Sequence, residues 1–196
     1  MVTLGIDPGL AGFLILLDGS GQIMSGWKMP LDARRKFDPV ALWRVFKEIE
    51  EIAAGEFQSV QVALEGLLSL PSDTNKITKL VAEIEKAPTP ELFDEVRREL
   101  KKTDGRVGTG TMFKNWGMIA GMITAIGWRY IVPSPRTWQK VIHECTSGKQ
   151  SAKLRTYEAV KALWPNEDWN EGKRRGFNDG KCDAAAIAEY GRRELK

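Results

Sequence analysis

Two aspartates near the end of the chain are the residues whose spacing most directly indicates chemistry. Asp179 and Asp183 stand in NDGKCDAAAIAEYGRR, residues 178–193, a stretch that is typical of a helix. Four positions are close to one helical turn, so both carboxylates lie on the same side of the helix, where like charges repel each other. Such a pair is tolerated when a cation neutralises it.

Two further acids end predicted strands. Asp7 closes the run VTLGID (2–7) and Glu65 closes the run VQVALE (60–65), and both runs are apolar enough for buried strands. If these two strands are neighbours, their terminal carboxylates meet at one edge of the sheet. The last helix is able to bring its two aspartates to the same place.

Four carboxylates that converge predict a magnesium site. Oxygen ligands hold Mg²⁺, which keeps several waters and accepts a substrate phosphate. Two such ions about 4 Å apart activate a water and stabilise the leaving oxygen of a phosphodiester. Each acid also has a simpler explanation, namely a turn former for Asp7, a strand-end charge for Glu65, a helix cap for Asp179 and a dipole partner for Asp183. The residues alone leave both interpretations open.

The composition is that of an ordinary globular protein of one domain. The chain has 196 residues, of which 42% are hydrophobic and 28% are charged. No apolar run reaches the length of a membrane span, and we expect no signal peptide. The two cysteines, Cys145 and Cys182, indicate no disulfide framework. We therefore expect a cytoplasmic protein that does not enter a membrane.

Positive charge is concentrated in the C-terminal third of the chain. Residues 128–196 contain 14 Lys or Arg and 9 Asp or Glu, whereas residues 1–127 contain 15 and 17. A basic face favours a polyanion such as DNA, although a solvated helical surface has the same composition.

The order of the elements predicts a mixed five-stranded α/β sheet with helices on both faces. Three strands form an antiparallel meander, the third at an edge. Helix 38–54 follows, with Asp38 as its N-cap and Val40, Trp43, Phe46 and Ile49 as its inner stripe. The other predicted elements are strands 60–65 and 129–134 and helices 109–127, 135–145, 149–163 and 179–195. A charged helical hairpin at 70–107 is expected as an insertion in a single domain, 1–196.

Three motifs together resemble the RuvC family of Holliday junction resolvases. They are GIDPGLAG, ALEG and DGKCDAAAIAEYG, and the block MFKNWGMIAGMITAIGWRYIVPSPRTWQKVI, residues 112–142, is similar to the middle of the phage and organellar branch. The resemblance covers roughly residues 1–30, 58–68 and 108–196. GIDPG alone is a weak signal, but the ordered set is fairly specific.

The resemblance implies a ribonuclease H-like fold and a homodimer that cuts four-way DNA junctions with Mg²⁺ or Mn²⁺, two ions in each active site. It assigns catalysis and metal binding to four acids: Asp7, Glu65, Asp179 and Asp183. Many members of the family have the penultimate ligand three positions before the last Asp, where this chain has Gly180. The role of Asp179 as ligand, base or helix cap therefore stays open.

The resemblance also implies roles for basic residues and for one helix. Lys140 and Lys153 match lysines that the family uses near its active site. The expected DNA contacts are Lys114, Arg136, Lys140, Lys149, Lys153, Arg155, Lys173, Arg174 and Arg175. Helix 112–126 resembles the family's dimerisation element, and its Gly117 and Gly121 permit close packing.

Other functions share parts of this pattern. A ribonuclease H-like nuclease acting on other branched DNA or on RNA–DNA hybrids would have the same acids. The stretch GIDPGLAGFLILLDGSGQI also resembles the first phosphate loop of actin-like ATPases, but the chain has no second phosphate motif. A junction-binding protein that does not cut would lack part of the acid set.

Three single residues carry narrower expectations. His143 is expected to have a surface or structural role, and Cys182 is expected on the inner side of the last helix. Trp138 lies in the TWQK motif, where packing is favoured over DNA contact.

Overall fold

The computed structural model describes residues 1–55, 58–66, 107–146, 150–171 and 176–195. The chain divides into two compact units, Met1–Gly66 with Asn115–Lys196, and Leu67–Lys114. In the second unit only residues 107–114, the start of a helix, are described. The predicted hairpin at 70–107 lies outside the described residues except for its last position.

Five strands form the sheet, and their order is β3-β2-β1-β4-β5. They are β1 (Val2–Ile6), β2 (Phe13–Leu17), β3 (Ile23–Lys28), β4 (Val60–Leu64) and β5 (Arg129–Ile131). The first three are an antiparallel meander, and β4 pairs in parallel with both β1 and β5. The condition that strands one and four are neighbours is met, and the expectation that β3 is an edge strand is confirmed.

Helices cover both faces of this sheet. They are α1 (Pro39–Gly55), α2 (Val107–Ile126), α3 (Pro135–Ile142), α4 (Ala152–Leu163) and α5 (Asp179–Glu194), with a 3₁₀ turn at His143–Cys145. Leu14 and Leu16 of β2 face α1 and α2, whereas Phe13, Ile15 and Leu17 face α3, α4 and α5. The mixed sheet lies between two layers of helices, and its strand order and directions are those of the ribonuclease H-like topology. The predicted fold class is therefore confirmed.

Within the described ranges, none of the helices combines the length and the hydrophobicity that a transmembrane span requires.

The buried face of α1 differs from the predicted one. Val40 is 61% exposed and Trp43 is 38% exposed, so the prediction that these two positions belong to the core is wrong. Apolar residues occur on two sides of this helix, and only one side continues to its last turn. The buried residues are Leu42, Phe46, Ile49 and Ala53. Asp38 caps α1 as predicted, since its Oδ1 accepts the backbone N–H groups of Val40 and Ala41.

The alanines of α5 allow it to lie very close to the sheet. A Cβ added to Gly5 of β1 would be 2.2 Å from the carbonyl oxygen of Ala184, and one added to Gly180 would be 2.3 Å from that of Ala11. Four alanines on this helix are fully buried: Ala184, Ala185, Ala186 and Ala188. Small residues on both sides therefore bring the start of α5 beside the turn that follows β1.

Candidate active site

Asp7 is held at the end of β1 by a tight turn. Its N–H donates to the carbonyl oxygen of Phe13, and its Oδ1 accepts the N–H of Gly9 at 3.0 Å. A Cβ at Gly12 would be 2.1 Å from the carbonyl oxygen of Asp7, so this turn requires glycine there. Burial raises the pKa of the Asp7 carboxyl, while the Gly9 N–H and the charge of Lys153 act in the opposite direction. Asp7 is thus both a turn former and a partly buried carboxylate.

Glu65 lies beside Asp7 because the parallel pairing of β1 and β4 continues for one more residue. The N–H of Glu65 donates to the carbonyl oxygen of Ile6 at 3.0 Å. Two indoles then hold this residue, since Trp138 Nε1–H donates to Oε1 at 3.0 Å and Trp116 Nε1–H donates to the backbone oxygen at 2.9 Å. Burial and the negative charge of Asp7 raise the pKa of Glu65 to about 7, against the Trp138 hydrogen bond.

Asp183 lies in the first turns of α5, the helix that packs against the strands of Asp7 and Glu65. Burial raises its pKa to about 8, and the negative charges of Asp7, Glu65 and Asp179 add to this effect. The positive charge of Lys153 opposes it. Asp7, Glu65 and Asp183 therefore act on one another electrostatically and form an acidic cluster built from three elements.

Asp179 is the first residue of α5 and pairs with a lysine from α4. Asn178 caps the helix, because its side chain accepts the N–H of Lys181 at 3.3 Å. The idea that Asp179 is the cap is therefore wrong. Its Oδ2 instead accepts a hydrogen bond from Lys153 Nζ at 2.5 Å, with side chains 39% and 67% exposed respectively.

The ammonium of Lys153 interacts electrostatically with the acids of the site. Its hydrogen bond to Asp179 and the charge of that carboxylate raise the pKa of the Lys153 ammonium, and Asp183 and Asp7 add smaller contributions, against a small effect of burial. Ser151 caps the start of α4 and so fixes the helical turn from which this lysine extends.

The donor set of the acidic cluster fits a hard divalent cation. Its ligands are carboxylate oxygens. Burial raises the pKa of all three groups, and neighbouring negative charge adds to this effect for Glu65 and Asp183, so a cation or protons would stabilise the cluster. Among the described residues, no three side chains of His, Cys, Asp or Glu lie close enough together to hold one ion. Coordination of one ion by three of these acids therefore requires rotamer changes.

Comparison with known proteins gives structural likenesses but no sequence match. No protein-family model and no curated protein sequence matches the chain. The solved structure "T. thermophilus RuvC in complex with Holliday junction substrate" is similar, with a TM-score of 0.47 and 16% sequence identity over 98% of this chain and 96% of that chain. The fold assignment rests on the strand order and strand directions of the chain itself.

The structure does not bring the other predicted lysine to the acids. Lys140 is exposed on α3 and lines a shallow pocket with Arg136 and Arg155, and none of the four acids belongs to that pocket. Lys114 is also exposed, on α2. Four of the predicted DNA contacts lie outside the described residues: Lys149, Lys173, Arg174 and Arg175.

Arg155 and His143 have structural contacts. The guanidinium of Arg155 donates to the carbonyl oxygen of His143 and to Thr146, which ties the 3₁₀ turn to α4. His143 is buried, and its Nε2 lies 2.9 Å from Thr156 Oγ1. Burial and the charge of Arg155 lower the pKa of His143. The structural role expected for His143 is confirmed, with Thr156 as its partner.

Two residues that support the site have no clear signal in the sequence. Trp138 is fully buried, as its packing role predicts, but its bond to Glu65 joins positions 73 residues apart. Lys181 is buried and donates to Glu167 at 2.7 Å and to Glu171 at 3.1 Å, which anchors the first turn of α5. Cys182 is buried on the inner side of this helix, as expected.

Proposed function

We propose that this chain is a divalent-metal-dependent endonuclease that cuts four-way DNA junctions by paired nicks. The observation that supports this most is the acidic cluster, in which Asp7, Glu65 and Asp183 come from two strand ends and one helix. Their raised pKa values indicate a site that needs positive charge, and hydrolysis of a phosphodiester at carboxylate-held metal uses such a site.

Asp7, Glu65 and Asp183 are the proposed ligands of Mg²⁺ or Mn²⁺, with Asp179 completing a site for two ions. When bound, the ions would supply an activated water and stabilise the charge that develops on the phosphate. The chain's own residues orient the carboxylates. Trp138 holds one oxygen of Glu65, and the N–H of Gly9 holds one oxygen of Asp7, which leaves a second oxygen on each for a ligand.

Lys153 is the proposed contact to the scissile phosphate. Its ion pair with Asp179 is substantially exposed, so little free energy is lost when the ammonium exchanges one anion for another. An ammonium at this position stabilises negative charge on a phosphate oxygen in the transition state. Asp179 would then be free to act as a ligand or as a base.

The junction substrate is proposed from the three motifs and from a two-fold dimer through α2. A Cβ at Gly117 or at Gly121 would have no neighbour within 4 Å among the described residues, so packing against them gives no reason for glycine at either position. The same glycines would allow a second copy of α2 to approach closely. A two-fold dimer presents two identical sites to a junction that requires two symmetric cuts.

A panel of substrates tests the proposal. Four-way junction, linear duplex, flap and RNA–DNA hybrid would be incubated with the protein in Mg²⁺ or in EDTA. We expect paired symmetric nicks in the junction alone, with none in EDTA and none with Asp183→Asn. Asp38→Asn is a matched control, because Asn caps a helix as well as Asp does. Preference for flap or hybrid would support another ribonuclease H-like nuclease instead.

A further inference from the structure

Three adjacent cations occupy the loop between β3 and α1. Arg34, Arg35 and Lys36, the basic loop, are all exposed. The acid of this loop, Asp32, uses its Oδ1 to accept the backbone N–H groups of Arg34 and Lys36 at 2.9 and 2.8 Å. Among the residues that the structure describes, no carboxylate forms an ion pair with any of the three. The basic loop therefore carries three exposed positive charges that no described carboxylate neutralises.

Backbone hydrogen bonds hold the basic loop in one conformation. The N–H of Asp32 donates to the carbonyl oxygen of Lys36 at 2.7 Å, and the N–H of Arg35 donates to that of Asp32 at 2.9 Å. A bridge between Leu31 and Phe37 closes the base of the loop, and Phe37 is buried in the core. The cations therefore lose little backbone freedom on binding.

Arg35 has an unusual backbone conformation. Its φ is 58°, and it is the single non-glycine residue with a positive φ in the described part of the chain. A position in the left-handed region that serves only to turn the chain favours Gly or Asn. An arginine with this strain is a reason to seek a function for its side chain.

A cleft joins Arg35 to the edge of the candidate active site. It has a volume of about 420 Å³, and its lining includes Arg35 and Lys28 together with Asp179 and Gly180 at the start of α5. The remaining wall is mainly apolar, including Leu10, Ala11, Phe13, Met29 and Leu31. Lys28 pairs with Glu171 at 3.1 Å, and both side chains are largely exposed. Glu171 also lines the cleft and offsets the charge of Lys28, so Arg35 is the lining cation that a polyanionic strand would meet without a described carboxylate partner.

We propose that the basic loop binds backbone phosphates of the DNA strand that enters the active site and holds that strand along the cleft toward Asp179. This inference rests on the proposed function and adds a binding surface to it. The charge distribution of the sequence directs attention to residues 128–196, whereas the loop at 34–36 lies in residues 1–127, which have a net negative charge. Folding places Arg35 in the lining of the cleft that also contains the start of α5, and Arg34 and Lys36 are its exposed neighbours in the chain.

The salt dependence of binding tests this proposal. Arg34→Gln, Arg35→Asn and Lys36→Gln would be combined in one variant, with Asn chosen because it accepts a positive φ. Arg44→Gln, Lys47→Gln and Lys161→Gln form the control, which removes the same charge from exposed positions outside the cleft. Affinity for a four-way junction would be measured in EDTA over a range of salt. The slope of log Kd against log salt should fall by about 2–3 in the loop variant alone, at about 0.9 for each lost phosphate contact.

Each outcome decides a different point. An unchanged slope in a loop variant that melts like wild type would overturn the role of the loop and leave the proposed function standing. Wild type that neither binds nor cuts DNA would overturn the proposed function, and the loop proposal with it. If the triple variant does not fold, Arg34→Gln with Lys36→Gln keeps Arg35 in place and should lower the slope by about 2. Hydroxyl-radical footprinting should show lost protection beside the cleaved phosphate in the loop variant and not in the control.

Discussion

The indole N–H of Trp138 donates to Oε1 of Glu65 at 3.0 Å, across 73 positions of the chain. Trp138 is fully buried, so the direction of this donor is fixed by packing. The bond favours the ionised carboxylate, whose pKa burial and Asp7 raise to about 7. A buried tryptophan of α3 thus orients a strand-end acid and lowers its pKa against the effects of burial and of Asp7.

Trp138→Phe keeps a smaller aromatic ring in the core and removes the donor, and the control below loses the same volume. We expect the pKa of Glu65 to rise, the acid limb of the pH–rate profile to move to higher pH, and cleavage at pH 7 to fall by about 3–10-fold, as for loss of a hydrogen bond to a charged group. Trp164→Phe is the control, since its buried N–H donates to the carbonyl oxygen of Gly21. Superimposable profiles for Trp138→Phe and wild type would contradict this role.

The acidic cluster makes stability depend on pH. Folded Glu65 and Asp183, with pKa values of about 7 and about 8, keep protons that the unfolded chain releases near its ordinary carboxyl pKa. Stability in EDTA should therefore fall as pH rises from about 5 to about 8. Asp183→Asn should remove part of this loss and be more stable than wild type at pH 8, by roughly 1–3 kcal/mol.

Denaturant unfolding at pH 5 and pH 8 checks this pH dependence. Mg²⁺ should restore stability to wild type at pH 8 and have little effect on Asp183→Asn, because a ligand that binds only the folded state stabilises it. Equal differences between the two proteins at both pH values would show that the carboxyl groups are not destabilised as described.

Lys153→Met removes the ammonium from the edge of the cluster. Both partners of its ion pair are substantially exposed, so the free energy of unfolding should change by less than about 1 kcal/mol. Cleavage should fall by about 10–100-fold if this lysine stabilises charge on the phosphate. Single-turnover rates with saturating junction would separate the chemical step from binding. Lys161→Met, in the last turn of the same helix, should retain the wild-type rate.

Gly5→Ala tests the close approach of α5 to the sheet. The new Cβ would meet the Ala184 carbonyl oxygen at 2.2 Å and the Ala188 backbone nitrogen at 2.3 Å, so the helix must move. We expect a loss of about 3 kcal/mol or more in the free energy of unfolding. Gly55→Ala has no neighbour within 4 Å and should change it by less than about 1 kcal/mol. Chemical denaturation of both variants makes the comparison.

The sequence predicted the elements well because their apolar periods are strong, and a parallel neighbour for β1 then placed Asp7 beside Glu65. The face of α1 was harder, since Val40 and Trp43 extend the apolar pattern to a second side of the helix. The Trp138–Glu65 bond and the cleft beside Arg35 depend on tertiary packing between distant segments. No local pattern in the sequence encodes such contacts.

The central claim is that Asp7, Glu65 and Asp183 act as one reaction centre. Single-turnover cleavage of a four-way junction in Mg²⁺ would be measured for Asp7→Asn, Asp183→Asn and the double variant. Each single change should lower the rate by at least about 100-fold, and the double variant should be no slower than the worse single one, because residues that act as a unit are not additive. Junction affinity should be unchanged in all three. Cleavage within about 3-fold of wild type in either single variant, or losses that multiply in the double variant, would contradict the account.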